Sequence, residues 1–306
     1  MQLVRPLHET EGGSRLAPNR GWPGGARLAV VVLMHLDHVP ALPGSAPGLP
    51  PSSVAVRGPY PQIMDVHSTS QHEYGLRVGA FRVLDLLDEL GIAPTVAIDA
   101  FSARHRARLV ERVAESGAEF AAHGLDGAGI LHDGMDAQEQ RAYLSESIDA
   151  VAEACGVRPT GWSGLDYAQS TTTLEDLADL GIRWTADWPN DEAPNILATS
   201  RGDIVDIPVN IHLDDVFSHL KRGTPIGRWA DDITVSARRL LDEDAPRTRT
   251  LVLGLHPWLI GQPFRFAHLR ETLRALRGMD GLWWARGTDV VAHLDGEARH
   301  DEGDRR

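Results

Sequence analysis

Arg27-Leu28-Ala29-Val30-Val31-Val32-Leu33-Met34, running straight into His35-Leu36-Asp37-His38, is the stretch that decides the fold. A near-continuous apolar run of this length is a strand buried on both faces, as in a parallel sheet covered by helices. The polar end is abrupt, with three ionisable groups in four residues. Side chains alternate across a strand, so His35 and Asp37 share one side and His38 takes the other. α/β folds assemble their sites at such strand ends. An imidazole beside a carboxylate there suits a base with its orienter, or two metal ligands. A merely solvated strand end is the plain alternative.

Outward from this strand the chain alternates. Helical spacing marks 79–90, 103–116, 137–155, 172–180, 232–241, 266–276 and 289–294, several of them stopped by glycine. Strand-like runs occupy 93–98, 119–122, 182–185, 204–208, 250–255 and 281–285. Alternating strands and helices without an internal linker predict parallel βαβ units closing into a single barrel-like α/β domain. The expected organisation is an N-terminal extension over 1–25, the domain over 26–294 and a charged flexible tail over 295–306. Residues 39–66, rich in Pro, Gly and Ser, read either as a lid or as a subunit contact.

With a net charge of −13, nonspecific binding to nucleic acid or to an anionic membrane surface is disfavoured. No apolar run is long enough to span a bilayer, and no signal-peptide-like stretch stands near the start. The expected setting is the cytoplasm, and the expected partners are a small-molecule substrate and further copies of the chain. The single cysteine, Cys155, rules out an internal disulfide or a thiolate-rich zinc site and reads as a packing residue.

Four more strand ends carry polar chemistry. Ala122-His123-Gly124 places a histidine before a sharp turn, with Asp126 and His132 further along the same loop. Ala186-Asp187-Trp188-Pro189-Asn190-Asp191 joins carboxylates, an amide and an indole, suited to a small polar ligand or equally to a capped turn. His212, Asp214 and Asp215 follow Pro208. Leu255-His256-Pro257-Trp258 sets a histidine at the exit of a Leu/Val-rich strand. Five strand ends thus deliver His or Asp, and this convergence is the functional signal.

At this point the chain resembles the polysaccharide deacetylase (family 4 carbohydrate esterase-like) group. It is most similar to the intracellular branch acting on small amides, with allantoinase-like and cyclic-imide-hydrolase-like members. The resemblance spans about residues 20–294. It is carried by Tyr74-Gly75-Leu76-Arg77-Val78-Gly79-Ala80-Phe81-Arg82, Glu119 to Gly124, Pro159-Thr160-Gly161-Trp162-Ser163-Gly164, Thr173 to Leu177, Ala186 to Asp191, and His256-Pro257-Trp258 through Gly261, Pro263 and Arg265. It implies a distorted (β/α) barrel of about seven parallel strands.

The resemblance also implies roles. Asp37 and His123 match metal ligands, but the second ligand histidine of the family is replaced by Gly127. A divalent metal, zinc first, would therefore need a third ligand such as His38 or His132. Some members of the small-amide branch lack that histidine and are thought to work without metal. Where the deacetylases carry an aspartate base, this chain has His35, and a neutral imidazole can do that work near pH 7. His256 matches the general acid, while His212 and Asp215 depart from the family pattern. The expectation is a hydrolase of a non-peptide C–N bond in a small amide, cyclic imide or ureide. His35, Asp37 and His256 would be catalytic, with Arg77, Trp162, Trp188, Asp191, His212 and Asp215 around the substrate. A metal-dependent N-deacetylase of an amino sugar and an inactive ligand-binding relative are the alternatives.

Overall fold

A computed structural model describes residues 14–16, 21–41, 66–127, 129–243 and 248–303. Its strands are β1 (Ser14–Leu16), β2 (Leu28–Leu36), β3 (Thr95–Ile98), β4 (Glu119–Ala122), β5 (Gly161–Trp162), β6 (Trp184–Thr185), β7 (Asn195–Leu197), β8 (Ile204–Asp206), β9 (Arg249–Leu255) and β10 (Leu282–Trp284). They form one curled, half-closed sheet in the order β1-β7-β8-β6-β5-β4-β3-β2, with β10 and β9 also paired to β2. All pairs are parallel except β1–β7 and β7–β8.

β2 is the hub. β9 runs along one of its edges over Leu28–Met34, while β10 pairs with Leu28–Val30 and β3 with Leu33–Leu36 on the other. All nine β2 residues are buried, as the unbroken apolar run requires. Because β2, β3, β4 and β9 are parallel neighbours, their C-terminal ends open on one rim. That rim carries His35 and Asp37, Asp99, His123 and His256.

The outer layer comprises α1 (Val66–Tyr74), a π-helical turn over Gly75–Gly79, α2 (Ala80–Glu89), α3 (Ala100–His105), α4 (Ala107–Glu115), α5 (Ala137–Cys155), α6 (Thr173–Asp179), α7 (Ile226–Asp242), α8 (Pro257–Ile260), α9 (Pro263–Arg277) and α10 (Gly287–Gly303). The helix expected over 103–116 is two, broken at Arg106 (φ −122°, ψ 50°). Asp99 starts the first of them by accepting a hydrogen bond from Ser102 N. The closing helix continues to Gly303 instead of stopping at Leu294, so most of the expected flexible tail is helical. Its charged composition resembles a tail, yet Glu, Ala and Arg also sustain a helix. The N-terminal extension is partly built into the domain. β1 adds to the sheet edge at β7, and the buried Trp22 donates its indole N–H to Arg249 O at 2.7 Å. Most of the segment expected to be a lid or subunit contact, 42–65, lies outside the described residues.

The turn from α1 to α2 presses against the start of α8. A Cβ at Gly75 would stand 2.6 Å from Trp258 Cβ, and one at Gly79 would collide with the Pro257 carbonyl. Arg82 and Tyr74 both hydrogen-bond to Gly261 O, closing the far end of the same loop. His256, immediately before α8, is thus held by packing as well as by its strand.

Candidate active site

The rim surrounds a cavity of about 230 Å³ whose floor is His35, Asp37, His123, Asp214 and His256. All five are buried, with the three histidines 2–6% exposed. The His35 and His256 rings are stacked, centroids 4.4 Å apart and planes within 7°. His123 stands on the other side of His35 at 4.9 Å, and Tyr167 meets it edge-on at 5.9 Å.

The two stacked rings sit in opposite environments. His256 Nδ1 lies 2.7 Å from Asp215 Oδ1 and 3.8 Å from Asp214 Oδ2, and its backbone N–H donates to Asp215 Oδ2. Burial works against the charge, but Asp214 and Asp215 overcome it and raise the His256 pKa to about 10. His256 is therefore an imidazolium at neutral pH, and its Nδ1–H is the proton given to Asp215. Neither ring nitrogen of His35 has a hydrogen-bond partner. Burial, then the charges of His256 and His123, hold its pKa well below the usual imidazole value. One cavity thus contains a cationic histidine against a neutral one with free lone-pair capacity.

Asp214 is itself constrained. It accepts from Tyr167 Oη at 2.8 Å and from Phe217 N at 2.8 Å, and burial raises its pKa to about 6 although His256 opposes this. Tyr167 reaches it from an unusual backbone, since Asp166 and Tyr167 have φ of 54° and 57°. Left-handed conformations at two successive non-glycine residues are costly, and such strain clusters at functional sites.

His123 faces an acceptor from each ring nitrogen. Nδ1 is bonded to Ser163 O, and Nε2 lies 2.7 Å from Asp37 Oδ1. Burial opposes its charge, but Asp37 raises its pKa above the ordinary value. Asp37 shows the reciprocal effect: burial pushes its pKa up, and the charge and hydrogen bond of His123 bring it below the usual carboxylate range. Behind this pair Asp99 accepts from His38 N and Ser102 N, and burial lifts its carboxyl to about 8.

Two donor sets can be tested for a metal. At the positions implied by resemblance, Asp37 and His123 face each other at 2.7 Å, so a metal would have to displace the proton they share. The third position, Gly127, has no room for a side chain. A Cβ there would stand 2.8 Å from Val39 Cγ2 and 2.9 Å from His38 O. The His38 ring stacks on Phe101 at 3.8 Å and does not line the cavity, and His132 Nδ1 accepts from Gly134 N in its own loop. The second set is His35, Asp214 and His256, whose ligand atoms lie within 4.8 Å of one another. A metal binds an imidazole in the ring plane. Two parallel stacked rings cannot both direct a lone pair squarely at one ion, so one ring would have to turn for this set to ligate. The Asp37–His123 pair has no third ligand at Gly127, whereas His35, Asp214 and His256 are close enough together to hold an ion once the rings turn.

Of the other residues singled out in the sequence, Asp215 touches the cavity through His256. Trp162 is fully buried in the core. Trp188 donates to Gln169 Oε1, Asp191 Oδ1 accepts from Glu192 N and Ala193 N, and the His212 ring is exposed, edge-on to Phe217. Arg77 stands on the outer helical layer 4.0 Å from Glu73, beside a separate groove with Phe81 and Arg270. None of these five lines the cavity. Sequence reasoning missed Tyr167, Asp166, Phe217 and Lys221, which do. The only advance sign of the first two is a Gly-Leu-Asp-Tyr stretch just after β5.

Residues 70–185 match the family model described as polysaccharide deacetylase. A Schizosaccharomyces pombe protein described, by inference, as a polysaccharide deacetylase is 24% identical over 241 residues, covering 72% of this chain and 73% of its own. A Mycobacterium smegmatis structure with a like description is 25% identical with a TM-score of 0.77, covering 93% of this chain and 96% of that one. A Pseudomonas aeruginosa structure, again so described, gives 24% and 0.81, covering 96% and 99%. The structure of an allantoinase gives 22% and 0.81, covering 97% and 98%. The last two share the fold over nearly their whole length.

Proposed function

With residues 70–185 forming a polysaccharide deacetylase family domain, we propose that this chain hydrolyses a non-peptide C–N bond in a small cyclic imide, ureide or amide, with histidines as both base and acid. The observation that carries this reading is the His35–His256 stack, a neutral imidazole and an imidazolium on one cavity floor. His35 takes a proton from water as the oxygen attacks the carbonyl carbon. The C–N bond then breaks, and the departing nitrogen takes a proton from His256. The products leave His35 charged and His256 neutral, and exchange with solvent restores both. Asp215 and Asp214 are positioning residues that keep His256 charged and aimed.

Two features favour an imide or ureide over the acetamido group of a sugar. A base held at low pKa stays unprotonated near neutrality but is a weak proton acceptor, so it needs an electrophilic carbonyl. The cavity, about 230 Å³, is also smaller than ordinary ligand pockets, which begin near 300 Å³. The donor geometry supports a reaction that runs without a metal.

The test is a turnover panel with hydantoin, succinimide and an N-acetylglucosamine oligomer, on protein analysed for bound metals, with and without chelator. Imide turnover that survives chelation and falls at least 100-fold in His35→Gln and in His256→Gln is the expected result. Acetate release from the oligomer that depends on stoichiometric zinc would overturn the proposal.

A further inference from the structure

The chain contains one lysine against twenty-nine arginines, and that lysine, Lys221, lines the active-site cavity. It stands in the last turn of a π-helical segment, Phe217–Lys221, that begins two residues after Asp215. Residues 214–221 therefore supply the carboxylates that charge His256 at one end and a cation at the other. Beyond the floor the cavity is lined by the apolar Leu165, Ile211, Val216 and Phe217, and by one further carboxylate, Asp166. The neighbouring Arg222 is turned over the Phe217 ring, 5.3 Å from its centroid. Among the described residues no carboxylate is ion-paired with the Lys221 ammonium.

From this placement we infer that the substrate carries a carboxylate, which Lys221 binds while the scissile carbonyl lies over the cavity-facing edges of the stacked His35 and His256 rings. The inference rests on the hydrolase reading for the second half of that statement and on Lys221 alone for the first. Charge decides the class. On the floor the two cations, His123 and His256, are outnumbered by Asp37, Asp214 and Asp215, so it attracts no further anion. A chain of net charge −13 repels anions at long range, and an anionic substrate needs a local cation to be held. One ammonium balances one negative charge, which suits a carboxylate better than a phosphate dianion. A lysine also differs from the arginines used elsewhere, being a compact point charge on a flexible stem that can follow a small ligand. The apolar belt gives the substrate a short hydrocarbon link between its two polar ends.

The experiment uses a matched pair of probes, hydantoin-5-acetate and hydantoin-5-acetamide, in both calorimetric binding and turnover. The wild-type protein is expected to bind the carboxylate about tenfold or more tightly than the amide, the size of one charge-assisted hydrogen bond. Lys221→Gln brings that ratio near one, chiefly through KM. Lys221→Arg recovers part of it, and Lys221→Glu inverts it. Equal handling of the two probes by the wild type, an unchanged ratio in Lys221→Gln, or binding of neither would overturn the inference. Equal turnover of both probes would do so while leaving the hydrolase reading intact. Lysine-dependent binding of the carboxylate with no turnover of either probe would keep the anchor and overturn the hydrolase reading.

Discussion

Replacing Asp215 by Asn leaves the shape of the site in place and removes one of the two charges that keep His256 protonated. His256 stands at about 10 where a free imidazole has about 6.5. That difference corresponds to about 5 kcal/mol in favour of the charged ring, at about 1.4 kcal/mol for each pH unit. Asp214 at 3.8 Å and Asp215 at 2.7 Å share the effect against the cost of burial. Loss of Asp215 should remove about half, lowering the His256 pKa by roughly two units, or about 3 kcal/mol. The alkaline limb of kcat/KM for an imide substrate should then fall from near pH 10 to near pH 8, with the acid limb unmoved. Stability follows the same linkage. A pKa raised in the folded state stabilises fully below the unfolded value near 6.5, and the effect is lost as pH rises through about 10. The Tm gap between wild type and Asp215→Asn should be widest at pH 6 and narrow towards pH 10. Nitrogen-15 NMR of the His256 ring measures the protonation directly. An alkaline limb that stays where it was, together with a Tm gap that is flat from pH 6 to 10, would refute the reasoning.

Three other outcomes are expected. Because burial and two neighbouring cations hold His35 far below the usual imidazole pKa, activity should show no acid limb near pH 6.5, and His35→Gln should lower kcat about 100- to 10,000-fold without lowering Tm by more than a few degrees. Gly127→His, which introduces the histidine that the resemblance implies at that position, should destabilise by about 1–3 kcal/mol because Val39 and His38 fill the space, and added zinc should not raise its Tm in differential scanning. Gly79→Ala forces a methyl group into the Pro257 carbonyl beside His256, so Tm should fall by the equivalent of about 1–3 kcal/mol and kcat should fall with it, measured on the same samples.

Much of this protein was legible before any coordinates. The apolar runs of β2 and β9 exclude water on both faces, so their sequence alone demands a covered parallel sheet, and polar residues at their exits must then face the rim. His35, Asp37, His123 and His256 were found by that logic, and His38 was placed on the opposite side by strand alternation. Of the residues away from these strand ends, Asp214 and Asp215 were found and the others were not. Trp162, Trp188, Asp191, His212 and Arg77 carry suggestive chemistry but point into the core, into their own turns or outward. Tyr167 and Lys221 carry none that stands out locally.

The division has a physical cause. A strand's periodicity and burial are local consequences of side-chain alternation and hydrophobicity, so residues 28–36 and 249–255 alone specify which ends meet. Charge state is not local: His35 and His256 are the same residue type at equivalent strand ends, yet one is neutral and the other cationic. What separates them is the approach of Asp214 and Asp215, forty-one residues before His256 in the case of Asp215, to one ring and not the other. Likewise the sequence showed that Gly127 lacks a ligand side chain, but only the packing of Val39 and His38 against it decided that none could fit there.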